Sequence, residues 1–242
     1  MLSLPLLLVL WQVMAMAVAN PLLPSPVDVA AEMGTLASQG ALLHDLGRTL
    51  GRVVAAFVLA MVLGTGIGIA LGRARWADRL FSAWLVVGLN LPAIVVAILF
   101  YIWLGLTEWA LVAAVVVNKL PMVAVTIREG VRSFADPYEE LAIVSRLSWT
   151  RRLRFIYWPQ LVPFVLASAR AGLSLIWKIV LVFEVLGSDG GIGFRIAIFF
   201  QYFDVAGILA YTVSFVAVVL VFEYGVLRPL EGRLTRWRAL PL

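Results

Sequence analysis

The chain has 242 residues, of which 63% are hydrophobic and 14% charged, with a net charge of +5. Soluble domains carry about 25% charged residues, so this composition describes a polytopic membrane protein with no room for a soluble catalytic domain. Cysteine is absent and His44 is the single histidine, which excludes disulfides, thiolate metal sites and a histidine metal cluster. The excess of arginine is that expected of cytosolic membrane loops, and it gives no reason to invoke nucleic acid.

A helix needs about 20 apolar residues to cross the hydrocarbon core, and about six stretches meet that criterion. They are residues 2–19, 50–71, 81–104, 109–127, 161–186 and 205–227. The first has a second reading, because Ala15-Met16-Ala17-Val18-Ala19 resembles a signal-peptidase site. No basic residue precedes that run, and Trp11 and Gln12 interrupt it, so a retained helix is expected ahead of a cleaved leader.

The connections sort by charge. Loop 72–80 carries Arg73, Arg75 and Arg79, and loop 128–154 carries Arg128, Arg132, Arg146, Arg151, Arg152 and Arg154. The tail carries Arg228, Arg233, Arg236 and Arg238, whereas the alternate loops are neutral or acidic. Arginine-rich loops stay cytosolic, which predicts both termini inside. Arg48 and Arg52, at the outer end of the second span, are the one exception.

The segment from Asp136 to Pro159 is the longest charged run on the chain. Asp136 suits an N-cap, Pro137 the first helical position, and Glu139 the reciprocal partner of a capping box. This predicts a short helix to about Leu147, then a second helix capped by Ser148 that runs through Arg151, Arg152 and Arg154 toward Pro159. Two consecutive capped helices between membrane spans describe a projecting knob on which another protein docks, rather than a plain connection.

Glu140-Leu141-Ala142, followed by Ile156-x-Trp158-Pro159, resembles the "EAA" loop of permease subunits of binding-protein-dependent ABC importers. Leu141 stands where the family has Ala, Arg146 where it has Gly, and Trp158 where it has Leu. Glycine ends a helix in a left-handed turn that disfavours Arg, so the loss puts the shape of this turn in question. Other segments resemble the nitrate/sulfonate/taurine branch: Leu23-Pro24-Ser25-Pro26, Thr49-Leu50-x-Arg52, Gly72-Arg73-x-Arg75-Trp76, Leu91-Pro92-Ala93, Gly105-Leu106-Thr107-Glu108, Gly130-Val131-Arg132 and Gly190-Gly191-Ile192-Gly193. They cover nearly the whole chain in order.

The resemblance implies a type I ABC importer permease fold, all-α, in one transmembrane domain over residues 1–242. The cytosolic coupling helix would lie in the loop before the fifth span, about 128–160. The implied setting is a bacterial inner membrane. The implied partners are a second copy of the permease, two cytosolic ATPase subunits and an extracytoplasmic substrate-binding protein. ATP and Mg would sit on the ATPase, since the chain has no Walker A pattern and Gly187–Gly193 lacks its lysine. The chain would itself be no enzyme and hold no cofactor. Glu140, Ala142, Arg146, Ser148, Trp149 and Arg152 are the candidate coupling residues, with Trp149 equally suited to the headgroup belt.

Ionisable residues within spans cost about 2.5–3.5 kcal/mol on insertion scales, which marks them as paired or path-facing. Arg170, Ser174 and Lys178 recur at helical spacing on one face, with Glu184 at the edge of the same arc. Such a cationic stripe suits a sulfonate, a carboxylate or nitrate; pairing across helices, as of Arg170 with Glu223, is the alternative. Lys119 either snorkels or lines the cavity. Asn90, with Pro92, interrupts the third span near its middle, where a packing kink is expected ahead of a broken helix that bounds a substrate site. Residues 190–193 suit a flexible gate loop.

Two other classes compete: a secondary carrier driven by an ion gradient and a membrane-embedded lipid-modifying enzyme. The two halves show no internal repeat, and only Glu139 and Glu140 approach the carboxylate cluster that an enzyme would need.

Overall fold

The computed structural model describes residues 3–18, 20–134, 144–229 and 232. Helix α1 (Ser3–Val18) and α2 (Pro26–Ser38) lead into the long α3 (Ala41–Arg73). Next come α4 (Arg75–Asn90), α5 (Ala93–Leu104) and α6 (Glu108–Arg132). Helix α7 (Trp149–Arg152) continues through a π-helical turn (Leu153–Tyr157) into α8 (Trp158–Gly187). The chain then forms α9 (Ile192–Gln201), α10 (Val205–Phe222) and a second π-helical turn (Glu223–Leu227). No strand occurs among the described residues.

Among the described residues, four helices are long and apolar enough to cross a membrane, or five spans if the bent α4–α5 pair counts as one. The all-α membrane fold expected from the sequence stands, but the third of the six expected spans differs. The first is helical over Ser3–Val18, and its remaining residues, 2 and 19, lie outside the described residues. The third is not a kinked helix but two helices bent by 99°. Leu91 and Pro92 both take extended backbone, and Leu91, as the residue before a proline, is driven out of the helical region. The expected loop at 72–80 is also shorter, since α4 begins at Arg75.

Local chemistry sets the helix ends. Ser25 caps α2, its hydroxyl accepting from the Asp28 amide while the Asp28 carboxylate accepts from the Ser25 amide at 2.9 Å. Pro26 occupies the first turn of that helix, where no donor is lost. Gly40, at φ 75, supplies the left-handed turn that separates α2 from α3. Thr107 caps α6 through the Ala110 amide at 3.2 Å. The π-helical turn at Leu153–Tyr157 lies just before Pro159 and Pro163, which remove two helical donors from the start of α8.

The backbones of α3 and α6 pack along a stripe of small residues on α3. Ala56, Ala60, Gly64 and Gly68 recur every fourth position and are buried, and Gly72 extends the row. A Cβ at Gly64 would come within 2.7 Å of Val123, and one at Gly68 within 2.7 Å of both the Ala124 carbonyl and Ile127. A Cβ at Gly72 would reach Val131 at 2.6 Å. In lipid no hydrophobic force draws helices together, so close backbone approach through small residues supplies the packing. The rest of the core joins α3, α6, α8 and α10 around Val53, Val115, Ile176, Phe183 and Tyr211.

Candidate functional site

Helix α3, at 1.5 Å per residue, separates Arg48 from Arg73 by about 37 Å, so its termini mark two ends of the bundle. The end near Arg48 holds a network of charged groups drawn from four helices. Arg48 reaches Glu108 at 2.6 Å and Asp189 at 2.7 Å. Arg52 reaches Glu184 at 2.6 Å and donates to the Gly190 carbonyl at 2.6 Å, while its other nitrogens meet Glu108. Glu184 also accepts from the Thr49 hydroxyl at 2.9 Å and the Gly193 amide at 2.8 Å. Asp45 accepts from Arg195 at 2.8 Å, Tyr211 at 2.9 Å and the Gly191 amide at 3.3 Å.

The buried charges thus meet several partners each, which is the condition under which ion pairs survive in a low-dielectric interior. It also accounts for Arg48 and Arg52 as exceptions to the charge rule for loops: both are neutralised within the fold. The same bonds hold the connection from α8 to α9 at Gly190, Gly191, Ile192 and Gly193. Gly191 sits at φ 99, and a Cβ there would meet the Glu184 carboxylate at 2.5 Å. The connection expected to be a flexible gate loop is therefore a clamped one.

The sequence placed Glu184 at the edge of the cationic arc of α8. It is buried and turned into this network, whereas Arg170, Ser174 and Lys178 lie on an exposed face of α8. Arg170 approaches Glu223 at 3.8 Å, the cross-helix pairing weighed from the sequence. Lys178 meets no carboxylate among the described residues. Lys119 is buried in α6, also without a carboxylate partner among them. The Asn90 side chain is exposed and donates back to the Val86 carbonyl of its own helix at 2.8 Å.

The arginine-rich end gathers the loop residues. Asp78 binds Arg128 at 3.0 Å and Arg132 at 2.5 Å, and Glu129 binds Arg128 at 2.9 Å. The Arg73 guanidinium lies 5.2 Å from the Trp149 ring centre and 4.8 Å from that of Tyr157, and Tyr157 stacks on Phe134. Arg146 adopts φ 47, so the left-handed turn is kept with an arginine in it. Ser148 precedes α7 without a side-chain cap to the backbone, and Arg152 donates to the Leu147 carbonyl at 3.1 Å. Glu140 and Ala142, with the helix expected from Asp136, lie outside the described residues.

Sequence reasoning quoted Thr49 only within a branch motif and gave Asp45, Arg195 and Tyr211 no place in a site. A signal was present: Asp45, Arg48, Thr49 and Arg52 recur at i, i+3, i+4 and i+7, a polar stripe at the head of an apolar helix.

Residues 60–227 match the family described as the binding-protein-dependent transport system inner membrane component. The chain is 33% identical over 241 residues to the riboflavin transport system permease protein of Chloroflexus aurantiacus, covering 98% of this chain and 89% of the relative. It is 27% identical over 234 residues to a putative aliphatic sulfonates transport permease protein of Bacillus subtilis (96% and 84% covered). With the taurine transport system permease protein of Escherichia coli K12 it shares 26% over 238 residues (96% and 86%). Among solved structures, the inward-facing MetNI methionine ABC transporter superposes with a TM-score of 0.65 at 16% identity, over 78% of this chain and 95% of that one. An amino acid ABC transporter with histidines gives 0.67 at 18%, over 83% and 97%. The chain belongs to the inner membrane permeases of binding-protein-dependent ABC importers, a family of non-catalytic membrane subunits.

Proposed function

We propose that this chain forms, with a second copy of itself, the translocation path for a small anionic solute and is driven by two separate ATPase subunits. The carrying observation is the exposed face of α8. Lys178 lies nine residues, or about 13 Å, from the end of an apolar span. A lysine facing hydrocarbon there costs about 2.5–3.5 kcal/mol. A second copy that covers this face turns Arg170, Ser174 and Lys178 toward a shared aqueous path, where a sulfonate or carboxylate meets positive charge. Similarity to aliphatic sulfonate and taurine permeases supports the same substrate class.

Both termini lie in the cytosol in this reading, with the binding protein on the side of Arg48 and Glu108. The loop at about 128–160 takes up the ATPase stroke through Glu140, Ala142, Arg146, Ser148, Trp149 and Arg152. Asp78 with Arg128 and Arg132, and Arg73 between Trp149 and Tyr157, would transmit it to α3, α4 and α6. A second solute class, planar heteroaromatic compounds, is favoured by the similarity to the riboflavin permease. Uptake into proteoliposomes containing the assembled transporter separates them: the anionic reading predicts that Lys178→Met depresses uptake of an organic sulfonate with the complex intact. Unimpaired uptake in that variant would remove α8 from the path.

A further inference from the structure

The arginine-rich end, where Arg73, Trp149 and Tyr157 would pass on the ATPase stroke, also carries a pocket with room for a ligand. A cavity of about 730 Å³ is lined by Arg73, Arg75, Arg132, Phe134, Trp149 and Tyr157. A second cavity of about 400 Å³ shares Arg73, Val131, Phe134 and Tyr157 with it and continues past Ile69, Leu153 and Leu161. The first is polar and cationic, and the second is apolar but for the arginines and Thr150 at its rim. Together they form one amphipathic channel at the end of a membrane-crossing helix.

Charge in the polar part is unbalanced. Asp78 is already divided between Arg128 and Arg132. Arg73 lies over the faces of Trp149 and Tyr157, and neither it nor the exposed Arg75 has a carboxylate partner among the described residues. Trp149, Tyr157 and Trp158 are side chains of the kind that settle at headgroup depth. A ligand that fits both compartments has an anionic head for the arginines and a hydrocarbon tail for the groove along Ile69 and Leu161.

We infer that this channel binds an anionic phospholipid, with its phosphate at Arg73 and Arg75 and one acyl chain against Ile69, Leu153 and Leu161. The bound lipid would brace the end of α3 against the entry to α8, adding to the cluster that holds Ile69 and Leu161 and to the contacts of Arg73 with Trp149 and Tyr157. Basic pockets at a membrane surface draw such headgroups with about 1 kcal/mol per arginine, and the attraction weakens with salt. The inference is independent of the transported solute.

The test is native mass spectrometry of the full chain, delipidated in neutral detergent and titrated with phosphatidylglycerol or phosphatidylcholine. The chain should retain phosphatidylglycerol in preference, and Arg75→Gln should lower that affinity about fivefold with phosphatidylcholine binding unchanged. Arg75 makes no hydrogen bond or ion pair among the described residues, so the lipid-free melting temperature of this variant should match the parent. Equal retention of the two lipids would overturn the assignment, as would an unaltered affinity in R75Q. Displacement of the lipid by soluble glycerophosphate at equal concentration would also overturn it, by showing a site for a free anion.

Discussion

Arg52 and Glu184 meet at 2.6 Å although 132 positions separate them, and their side chains are only 4% and 0% exposed. The pair ties the head of α3 to the end of α8. Through the Gly190 carbonyl and the Gly193 amide it also sets the course of the chain into α9. Neither charge tolerates the loss of the other, because a buried ion without its counter-ion keeps the whole desolvation cost.

Arg52→Met should therefore destabilise the fold by about 3–5 kcal/mol, the range for breaking a buried pair. The double variant Arg52→Met/Glu184→Leu should recover part of that loss. Thermal unfolding in detergent reads both. Strictly additive losses would show that the two groups do not depend on each other.

The glycine stripe on α3 gives a second prediction. Gly68→Leu should prevent α3 from seating on α6, since even a Cβ there meets the Ala124 carbonyl and Ile127. Gly66, two residues away, has nothing within 4 Å of its Cβ position. Gly66→Ala should be neutral or slightly stabilising, given the low helix propensity of glycine. Yields of folded protein on size-exclusion chromatography compare the two directly.

Arg146 holds a backbone conformation that costs a side-chain-bearing residue about 1–2 kcal/mol. Arg146→Gly should raise the melting temperature or leave it unchanged, with substrate-stimulated ATP hydrolysis retained in the assembled complex. Arg146→Ile should lower both, because β-branched residues resist positive φ. Equal behaviour of the two variants would remove this turn from the coupling path.

Fold class and family were legible because they rest on hydropathy and on short motifs that each carry their own signal. The bend at Leu91 and Pro92 was half legible: the break was visible in Asn90 and Pro92, but not the tertiary packing beside it, where Gly88 lies close against Pro121 on α6. Glu184 was placed no more closely than the edge of the cationic arc, because helical spacing fixes direction only to within an arc and its partners Thr49 and Arg52 lie on another helix. Arg48 and Arg52 read as exceptions to a loop rule for the same reason. Their carboxylates at Glu108, Glu184 and Asp189 are distant in sequence, and only folding brings them together.

In the proposed transport cycle, work done by another polypeptide moves solute through this chain. Uptake of a labelled organic sulfonate into proteoliposomes tests it, with the permease reconstituted alone and with its ATPase and binding protein. Accumulation should require all three components together with ATP, and should fall to background when Glu140→Lys replaces the wild-type permease. Accumulation by the permease alone, driven by an ion gradient and indifferent to ATP, would instead mark the chain as a self-sufficient carrier.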